Sequence, residues 1–320
     1  MMGGANQSRL PTDFDIEQYL ELNPDIKKAG VDPVRHYLDH GREEGRQYSL
    51  VVTPRRPQKA KPMFFLHIPK TAGSSMNLFC SKRMSFTTHI EDRQEIKERI
   101  RQGIDDYDFA SGHLYLPEVL TIISARKWFK FTFLREPIQQ TVSHLKWVKS
   151  LGTQQRKTEA MGYRDSLRDL FDKLQEISLD DIDAIGDLVE SHYEARNLFD
   201  NCQTRYLISP KEPPVDCRDF TAALLSLREF DYVAFCESAT QDSAEILRLA
   251  GWGNQSSEFP HTNSSPLEGQ PNFADPAILA FYRNLASFDI RLYTYALREK
   301  ASRLQRWRKT LSALIPGAVR

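Results

Sequence analysis

A lysine set among small and hydroxyl-bearing residues is the first feature of this sequence that can do chemistry. The segment reads His67-Ile68-Pro69-Lys70-Thr71-Ala72-Gly73-Ser74-Ser75. Small residues at 71–75 let the backbone approach a ligand closely, and N–H groups at the start of a following helix point at an anion. Lys70 adds a full positive charge, and Thr71, Ser74 and Ser75 add hydroxyl donors. The segment therefore predicts an anion-binding loop, with an ordinary capped turn as the alternative.

The loop is not a Walker A motif, in which the lysine directly follows the last glycine of GxxxxGK[ST]. Here Lys70 precedes Gly73 by three residues, and no Walker A motif occurs elsewhere in the chain. A nucleoside triphosphatase or kinase that uses this motif with Mg²⁺ is therefore disfavoured.

A second group of residues offers another anion site. Phe133-Leu134-Arg135-Glu136-Pro137 ends an apolar run, and Ser143 follows Arg135 by eight residues on the next predicted helix. A guanidinium at a strand end and a hydroxyl two helical turns later can hold a phosphate together. Two anion sites at the carboxyl ends of parallel strands suit a nucleotide that carries phosphates at both ends.

Together, PKTAGSS and the later FLREPxxxxxSH segment resemble the two nucleotide motifs of sulfotransferases that use 3′-phosphoadenosine 5′-phosphosulfate (PAPS). The closest resemblance is to carbohydrate sulfotransferases of the heparan sulfate 2-O-sulfotransferase type and their bacterial relatives, over about residues 62–295. The resemblance implies that Arg135 and Ser143 hold the 3′-phosphate and that no metal is needed. It also implies which residues hold the 5′-phosphosulfate: Lys70, Thr71, Ala72, Gly73, Ser74 and Ser75.

The resemblance extends to a catalytic pair. Lys70 would neutralise the leaving phosphate. Ser111-Gly112-His113 resembles the family's Gly-His segment, which makes His113 the preferred general base, since imidazole titrates near neutral pH. A histidine satisfied in the core is the alternative for His113, and His89 and Glu91 are fallback bases.

Two further segments resemble the family less specifically. Residues 201–207, NCQTRYL, resemble an N-x-x-T-R-x-L segment of its bacterial members, and residues 261–265, HTNSS, resemble a late loop that covers the nucleotide. Arg205 would either bind an acidic sugar or pair with a carboxylate nearby. His144 would either pack or contact the acceptor.

Apolar runs predict the elements that position these residues. MFFLHI (63–68), WFKFTFL (128–134) and DYVAFCE (231–237) read as buried parallel strands, each followed by a loop and a helix. A short strand over Tyr107–Ala110 would precede His113, and residues 164–198 read as an amphipathic covering helix. The expected fold is α/β, a P-loop NTPase-like parallel sheet flanked by helices.

Composition changes divide the chain into four parts. Residues 1–50 read as a small module of two short helices, similar to a segment that recurs in bacterial glycosyltransferases and surface-polysaccharide proteins. Residues 51–62, rich in proline and basic residues, read as a linker before a sulfotransferase domain over 63–296. Residues 297–320 carry seven basic residues and one acidic residue, a net charge of +6, on a predicted amphipathic helix. Such a helix suits an anionic membrane surface or a docking site on protein.

Charge and composition exclude several function classes. The 320 residues include 43 basic and 43 acidic side chains, which disfavours a dedicated nucleic-acid binder. Neither a membrane-length apolar run nor a signal peptide is seen, so a cytoplasmic protein is expected, peripheral at most at the inner membrane face. No metal-ligand spacing occurs. Free thiols are expected for the cysteines, with a pairing of Cys202 and Cys217 in an oxidising compartment as the alternative.

The expected function is sulfuryl transfer from PAPS to a hydroxyl of a glycan or glycolipid in bacterial polysaccharide synthesis. The alternatives are a phosphotransferase that lacks Walker A and a non-catalytic nucleotide-binding adaptor of a polysaccharide assembly. The acceptor and the oligomeric state stay open.

Overall fold

Five short parallel strands form the centre of the protein, as described by a computed structural model. It describes residues 10–11, 14–41, 46, 48, 57, 59–85, 87–90, 107–123, 128–209, 214–253, 259–260 and 269–314. Within these ranges the sheet has the order β2-β3-β1-β4-β5. The strands are β1 (Met63–Leu66), β2 (Thr87–Ile90), β3 (Phe109–Gly112), β4 (Phe129–Leu134) and β5 (Tyr232–Phe235). The predicted α/β class with a parallel sheet is confirmed.

Helices connect and cover these strands. Over the same ranges they are α1 (Ile16–Leu22), α2 (Pro24–Ala29), α3 (Pro33–His36), α4 (Gly73–Ser81), α5 (Leu116–Ile123), α6 (Pro137–Leu151), α7 (Lys157–Ala160), α8 (Asp165–Gln175), α9 (Ile182–Ser191), α10 (Tyr193–Phe199), α11 (Cys202–Tyr206), α12 (Cys217–Ser226), α13 (Ala239–Leu249), α14 (Pro276–Leu285) and α15 (Ser287–Leu314). A π-helical turn, Tyr37–Gly41, extends α3, and short 3₁₀ turns follow α6, α12 and β5.

The two faces of the sheet build two separate apolar cores. Alternate residues of β1 point to opposite faces, so Phe65 packs in one core while Phe64 and Leu66 pack in the other. The Phe65 face is covered by α4 and α13. The Phe64 face is covered by α5, α12 and the first part of α15. Because both faces are covered, each strand can be apolar throughout, as the sequence predicted for β1 and β4.

A third core lies among helices alone, formed by α6, α8, α9, α10 and α14. The predicted covering helix over 164–198 divides into three helices here. Asp181 accepts a hydrogen bond from the Ala184 amide and starts α9, and the ring of His192 accepts from the Glu194 amide and starts α10. Because each cap starts a new helix, the stretch does not form one continuous helix. Leu170, Phe171 and Leu174 are buried, as predicted for the apolar face.

The N-terminal module has its own aromatic cluster. Tyr19, Ile26 and Tyr37 are buried together, with Phe14 and Tyr48 packed against them. Three helices and the π turn form the module, where the sequence predicted two helices. The extra break lies between α1 and α2, at the proline that follows Asn23 and begins α2.

The segment that leads into β1 is held by hydrogen bonds to residues 250–252. The Lys61 amide donates to the Ala250 carbonyl at 2.8 Å, and the Trp252 indole donates to the Lys61 carbonyl at 3.0 Å. Gly251, between these two partners, has a φ of +86°, a conformation that favours glycine. The predicted linker therefore ends in a docked segment. Residues 51–56 and 58 lie outside the described residues.

The last helix docks on the main domain by its first half. α15 runs without a break from Ser287 to Leu314, so the expected boundary at 296/297 falls inside a helix. Lys300 forms an ion pair with the buried carboxylate of Asp242, and the Tyr293 hydroxyl donates to Glu237 at 3.0 Å. None of the helices described has the length and apolarity needed to span a membrane.

Candidate functional site

Three loops converge at the carboxyl edge of the sheet. His67 follows β1, His113 follows β3 and Arg135 follows β4, and these three strands are direct neighbours. The helix after β1 packs on one face of the sheet and the helix after β3 packs on the other. Ligands of open α/β sheets bind in the crevice between two such strands. The structure thus brings the predicted loops together at the position where a ligand is expected.

The loop after β1 has an unusual backbone. Lys70 and Ala72 each have a φ of 64°, in the left-handed region, which costs a non-glycine residue roughly 1–2 kcal/mol. Hydrogen bonds hold this conformation: the Gln140 side chain donates to the Pro69 carbonyl at 2.9 Å, and Arg135 donates to the Lys70 carbonyl at 3.2 Å. Strain that neighbours maintain in this way is typical of ligand-binding loops.

The start of α4 has no side-chain cap. Its N-cap residue, Ala72, has no side chain that can accept a hydrogen bond from the first turn. By contrast, α6 is capped by the carboxylate of Glu136, which accepts from the Ile138 and Gln139 amides. An uncapped N-terminus with positive polarity suits an anion, and Lys70 stands next to it in the chain.

Lys70 lies in a concentration of positive charge. Burial, followed by the charges of Arg135 and Arg156, lowers the pKa of Lys70 to about 8. Its ammonium lies 5.7 Å from the centre of the Trp147 ring, and the Arg156 guanidinium lies 5.9 Å from the same ring. Among the described residues no carboxylate forms an ion pair with Lys70. An anionic ligand would relieve this repulsion.

The other predicted nucleotide-binding residues differ in exposure. Ser74 is exposed on the first turn of α4, whereas Thr71 and Ser75 are buried. The Thr71 hydroxyl donates to the Ile68 carbonyl at 2.8 Å and so stabilises the loop from inside. Ser143 is also buried, at 3% exposure, on the same side of α6 as Gln140. The structure therefore presents Arg135 and Ser74 to solvent more openly than Ser143.

The rings of His67 and His113 contact each other at a tilt, beside the start of α4. Their ring centres are 4.1 Å apart, and Nδ1 of His113 lies 2.8 Å from the His67 carbonyl oxygen. Because a carbonyl only accepts hydrogen bonds, Nδ1 must carry the proton, which places the lone pair of the neutral His113 ring on Nε2. The His67 ring occupies the space beside Gly73, where a Cβ atom would lie 1.6 Å from Nε2. The pair thus fixes the orientation of a potential base.

His144 packs in the interior, one of the two roles the sequence left open. It is 1% exposed, with its ring 5.5 Å from that of Phe199. Burial, together with the charges of Lys70 and His113, lowers the pKa of His144 to about 3. His144 is therefore neutral at physiological pH.

Arg205 is likewise an interior residue. It is 1% exposed and donates to the Asp200 carboxylate at 2.6 Å. Of the two roles that the sequence left open, Arg205 therefore pairs with a carboxylate. The side chain of His89 lies outside the described residues, as do Glu91 and the 261–265 segment.

Sequence reasoning did not identify four residues at this site: Gln140, Trp147, Arg156 and Gln203. Gln140, Ser143, His144 and Trp147 recur at three-to-four spacing, a pattern that places them on one side of α6 beside Arg135. That spacing was the available signal for Gln140 and Trp147. Arg156 and Gln203 approach through tertiary packing, for which the sequence holds no local signal.

A groove of about 410 Å³ lies next to Arg156. Arg156 links this groove to the Lys70 cluster. Its guanidinium lies near the Trp147 ring, and it donates a hydrogen bond to the Ser150 hydroxyl on the groove wall. The lining residues are Lys146, Lys149, Ser150, Thr153, Ser178, Leu179, Asp180, Gly269 and Gln270.

Within the described ranges, no group of three or more His, Cys, Asp or Glu side chains is arranged to hold a metal ion. Comparison with protein-family models and with curated proteins finds no match. What this chain does must therefore be inferred from its own residues.

Proposed function

We propose that this protein is a PAPS-dependent sulfotransferase with a P-loop-like fold. The observation that carries the proposal is the convergence of Lys70, His113 and Arg135 from three neighbouring strands around an uncapped helix start. The resemblance of the two loop sequences to PAPS motifs supports the same assignment. The cations at the site, with no described carboxylate paired to Lys70, fit a ligand with two anionic ends.

The donor supplies a sulfuryl group that moves in line to an acceptor oxygen, as the sulfur–oxygen bond to the 5′-phosphate breaks. Lys70 and the amides at the start of α4 would stabilise the negative charge that develops on the leaving phosphate. Nε2 of His113 would take the proton of the attacking hydroxyl, a contribution of about 10²–10⁴-fold. Arg135 would hold the 3′-phosphate.

The acceptor class, a hydroxyl of a glycan or glycolipid, follows from the resemblance, and the groove beside Arg156 is where such an acceptor would bind. Hydroxyl, amide, ammonium and carboxylate groups line the groove together with apolar surface, and the Trp147 ring lies 5.7 Å from the Lys70 ammonium and 5.9 Å from the Arg156 guanidinium. A role in bacterial surface-polysaccharide synthesis, in the cytoplasm at the inner membrane face, belongs to the same proposal and follows from the resemblance alone.

Calorimetric titration with 3′-phosphoadenosine 5′-phosphate (PAP), the desulfated product, tests the proposal. We expect binding that needs no metal, falls to the affinity for AMP in Arg135→Ala and is kept in Arg168→Ala, an exposed arginine of α8. ATP with and without Mg²⁺ is titrated in parallel. Preference for Mg-ATP would instead identify a phosphotransferase, and absence of binding to either nucleotide would refute both assignments.

Two variants separate binding from chemistry. We expect Lys70→Ala to bind PAP more weakly and to lose sulfuryl transfer from labelled PAPS to a panel of glycans. His113→Ala should keep PAP affinity and lose transfer. Turnover at the wild-type rate in His113→Ala would remove the base assignment, and binding without transfer in the wild type would favour the adaptor.

A further inference from the structure

The residues 201–207 form a buried link between the last helix and the loop after β4. The Gln203 side chain is 1% exposed and makes two hydrogen bonds to the backbone of Arg135. Its Oε1 accepts from the Arg135 amide at 2.9 Å, and its Nε2 donates to the Arg135 carbonyl at 2.9 Å. One side-chain amide thus satisfies both backbone groups of the residue that directly follows β4.

The link is fixed at its other end by two helices that cap each other. The Asp289 carboxylate accepts from the Gln203 and Thr204 amides at 3.0 and 2.6 Å, at the start of α11. In return, the Asn201 side chain accepts from the Phe288 and Asp289 amides at 2.7 and 3.1 Å, at the start of α15. These buried bonds, of which the two to the Asp289 carboxylate are charge-assisted, leave Gln203 little freedom to move.

The same chain of contacts continues to the phosphate loop. The backbone of Arg135 is held by Gln203, and the Arg135 guanidinium in turn donates to the Lys70 carbonyl at 3.2 Å. A long arginine side chain explores many rotamers, so a fixed backbone restricts where its guanidinium can reach. Loss of the Gln203 bonds would also leave two half-buried backbone groups of Arg135 without these partners.

We propose that Gln203 is a positioning residue, whose side-chain amide fixes the backbone of Arg135 and thereby aims its guanidinium at the 3′-phosphate of the nucleotide. This rests on the proposed function, which places the 3′-phosphate at Arg135. The NCQTRYL segment then has a definite structural role, because Asn201 and Gln203 connect α15 to the nucleotide loop. Arg205 stabilises the segment through Asp200.

The test compares two nucleotides that differ only in the 3′-phosphate. PAP and AMP are titrated into wild type and Gln203→Met, which keeps the side-chain length and removes both hydrogen bonds. We expect about tenfold weaker PAP binding and unchanged AMP binding, since only PAP uses Arg135. Gln139→Met, an exposed glutamine of α6, is the matched control and should bind both nucleotides like the wild type.

If Gln203 only stabilised the fold, the affinities for PAP and AMP would change together or not at all. Equal loss of PAP and AMP affinity, or no loss of either, would overturn the proposal. In an Arg135→Ala background, Gln203→Met should have no further effect on PAP affinity, and a further tenfold loss there would also overturn it. If Gln203→Met does not fold, Gln203→Asn, which is too short to span both backbone groups, gives the same comparison.

The measurements distinguish failure of the positioning role from failure of the proposed function. Failure of the proposed function appears in the wild type, as PAP binding no tighter than AMP. Failure of the positioning role appears only in the variants, with the wild-type preference for PAP intact. In an active enzyme, the KM for PAPS should rise in Gln203→Met while kcat is kept.

Discussion

The contact between His67 and His113 makes Gly73→Ala an informative substitution. The added Cβ would lie 1.6 Å from Nε2 of His67 and 2.1 Å from two ring carbons, closer than any real contact allows. The φ of Gly73 is not positive, so the backbone itself accepts alanine. The whole effect of the substitution therefore comes from displacement of the His67 ring.

The ring has little room to move. His67 is 8% exposed, with Phe65 stacked at 5.3 Å on one side and His113 at 4.1 Å on the other. Overpacking a filled site costs typically about 1–3 kcal/mol. For a chain of this size, that corresponds to a loss of about 2–10 °C in Tm. Because the His113 ring and the His67 carbonyl would shift as well, we expect transfer activity to fall more than PAP affinity.

Thermal and urea denaturation measure the cost, with Gly186→Ala in α9 as the control. The Cβ at Gly186 would meet Phe281 at 3.6 Å, an ordinary contact, so alanine there should stabilise by about 0.5–1 kcal/mol. In His67→Ala the space is free, and adding Gly73→Ala should then cost almost nothing. Wild-type stability in Gly73→Ala, or an equal cost in the His67→Ala background, would refute this account of the site.

Other parts of the structure give three further predictions. First, PAP affinity should fall as pH rises through about 8, because Lys70 loses its charge there, and the fall should be absent in Lys70→Ala titrated under the same buffers. Second, Arg205→Met should lower the free energy of unfolding by about 3–5 kcal/mol, since it leaves the Asp200 carboxylate without its partner; urea titration should show partial recovery in Arg205→Met/Asp200→Asn. Third, a chain truncated after Ser302 keeps Lys300 and Tyr293, so its Tm should match the full chain while sedimentation with anionic vesicles is lost; equal sedimentation of both chains would contradict a membrane role for the last helix.

The strands that the sequence predicted best are those with continuous apolar runs. β1, β4 and β5 lie within the predicted segments, each one to two residues shorter at one or both ends. β2 was not predicted, because Thr87-Thr88-His89-Ile90 is a polar edge strand with no apolar run. The strand before His113 covers Phe109–Gly112 rather than Tyr107–Ala110, since its small residues carry little propensity signal.

In the candidate site, too, local sequence features could be predicted and long-range contacts could not. The two loops are contiguous in sequence, and their strand–loop–helix setting is local, so both could be located without a structure. The contacts that hold them are not local: Gln140 reaches Pro69, Arg135 reaches Lys70 and Gln203 reaches Arg135, each over more than 60 residues. These depend on how α6 and α11 pack against the sheet. The burial of Ser143 and Arg205 depends on the same packing, which no single segment encodes.

The strand order has a consequence for the synthesis of this chain. β1 lies in the middle of the sheet, yet both of its neighbours, β3 and β4, are translated after it. About 70 residues separate the start of β1 from the end of β4, which at roughly 5–20 residues per second takes about 4–14 s on a ribosome. The apolar segment Met63–Leu66 has two open edges until β3 emerges, and the edge that pairs with β4 stays open until the end of that interval. Nascent chains of this protein therefore present an aggregation-prone segment early, and a chaperone that binds short apolar stretches should engage them between the emergence of β1 and that of β4.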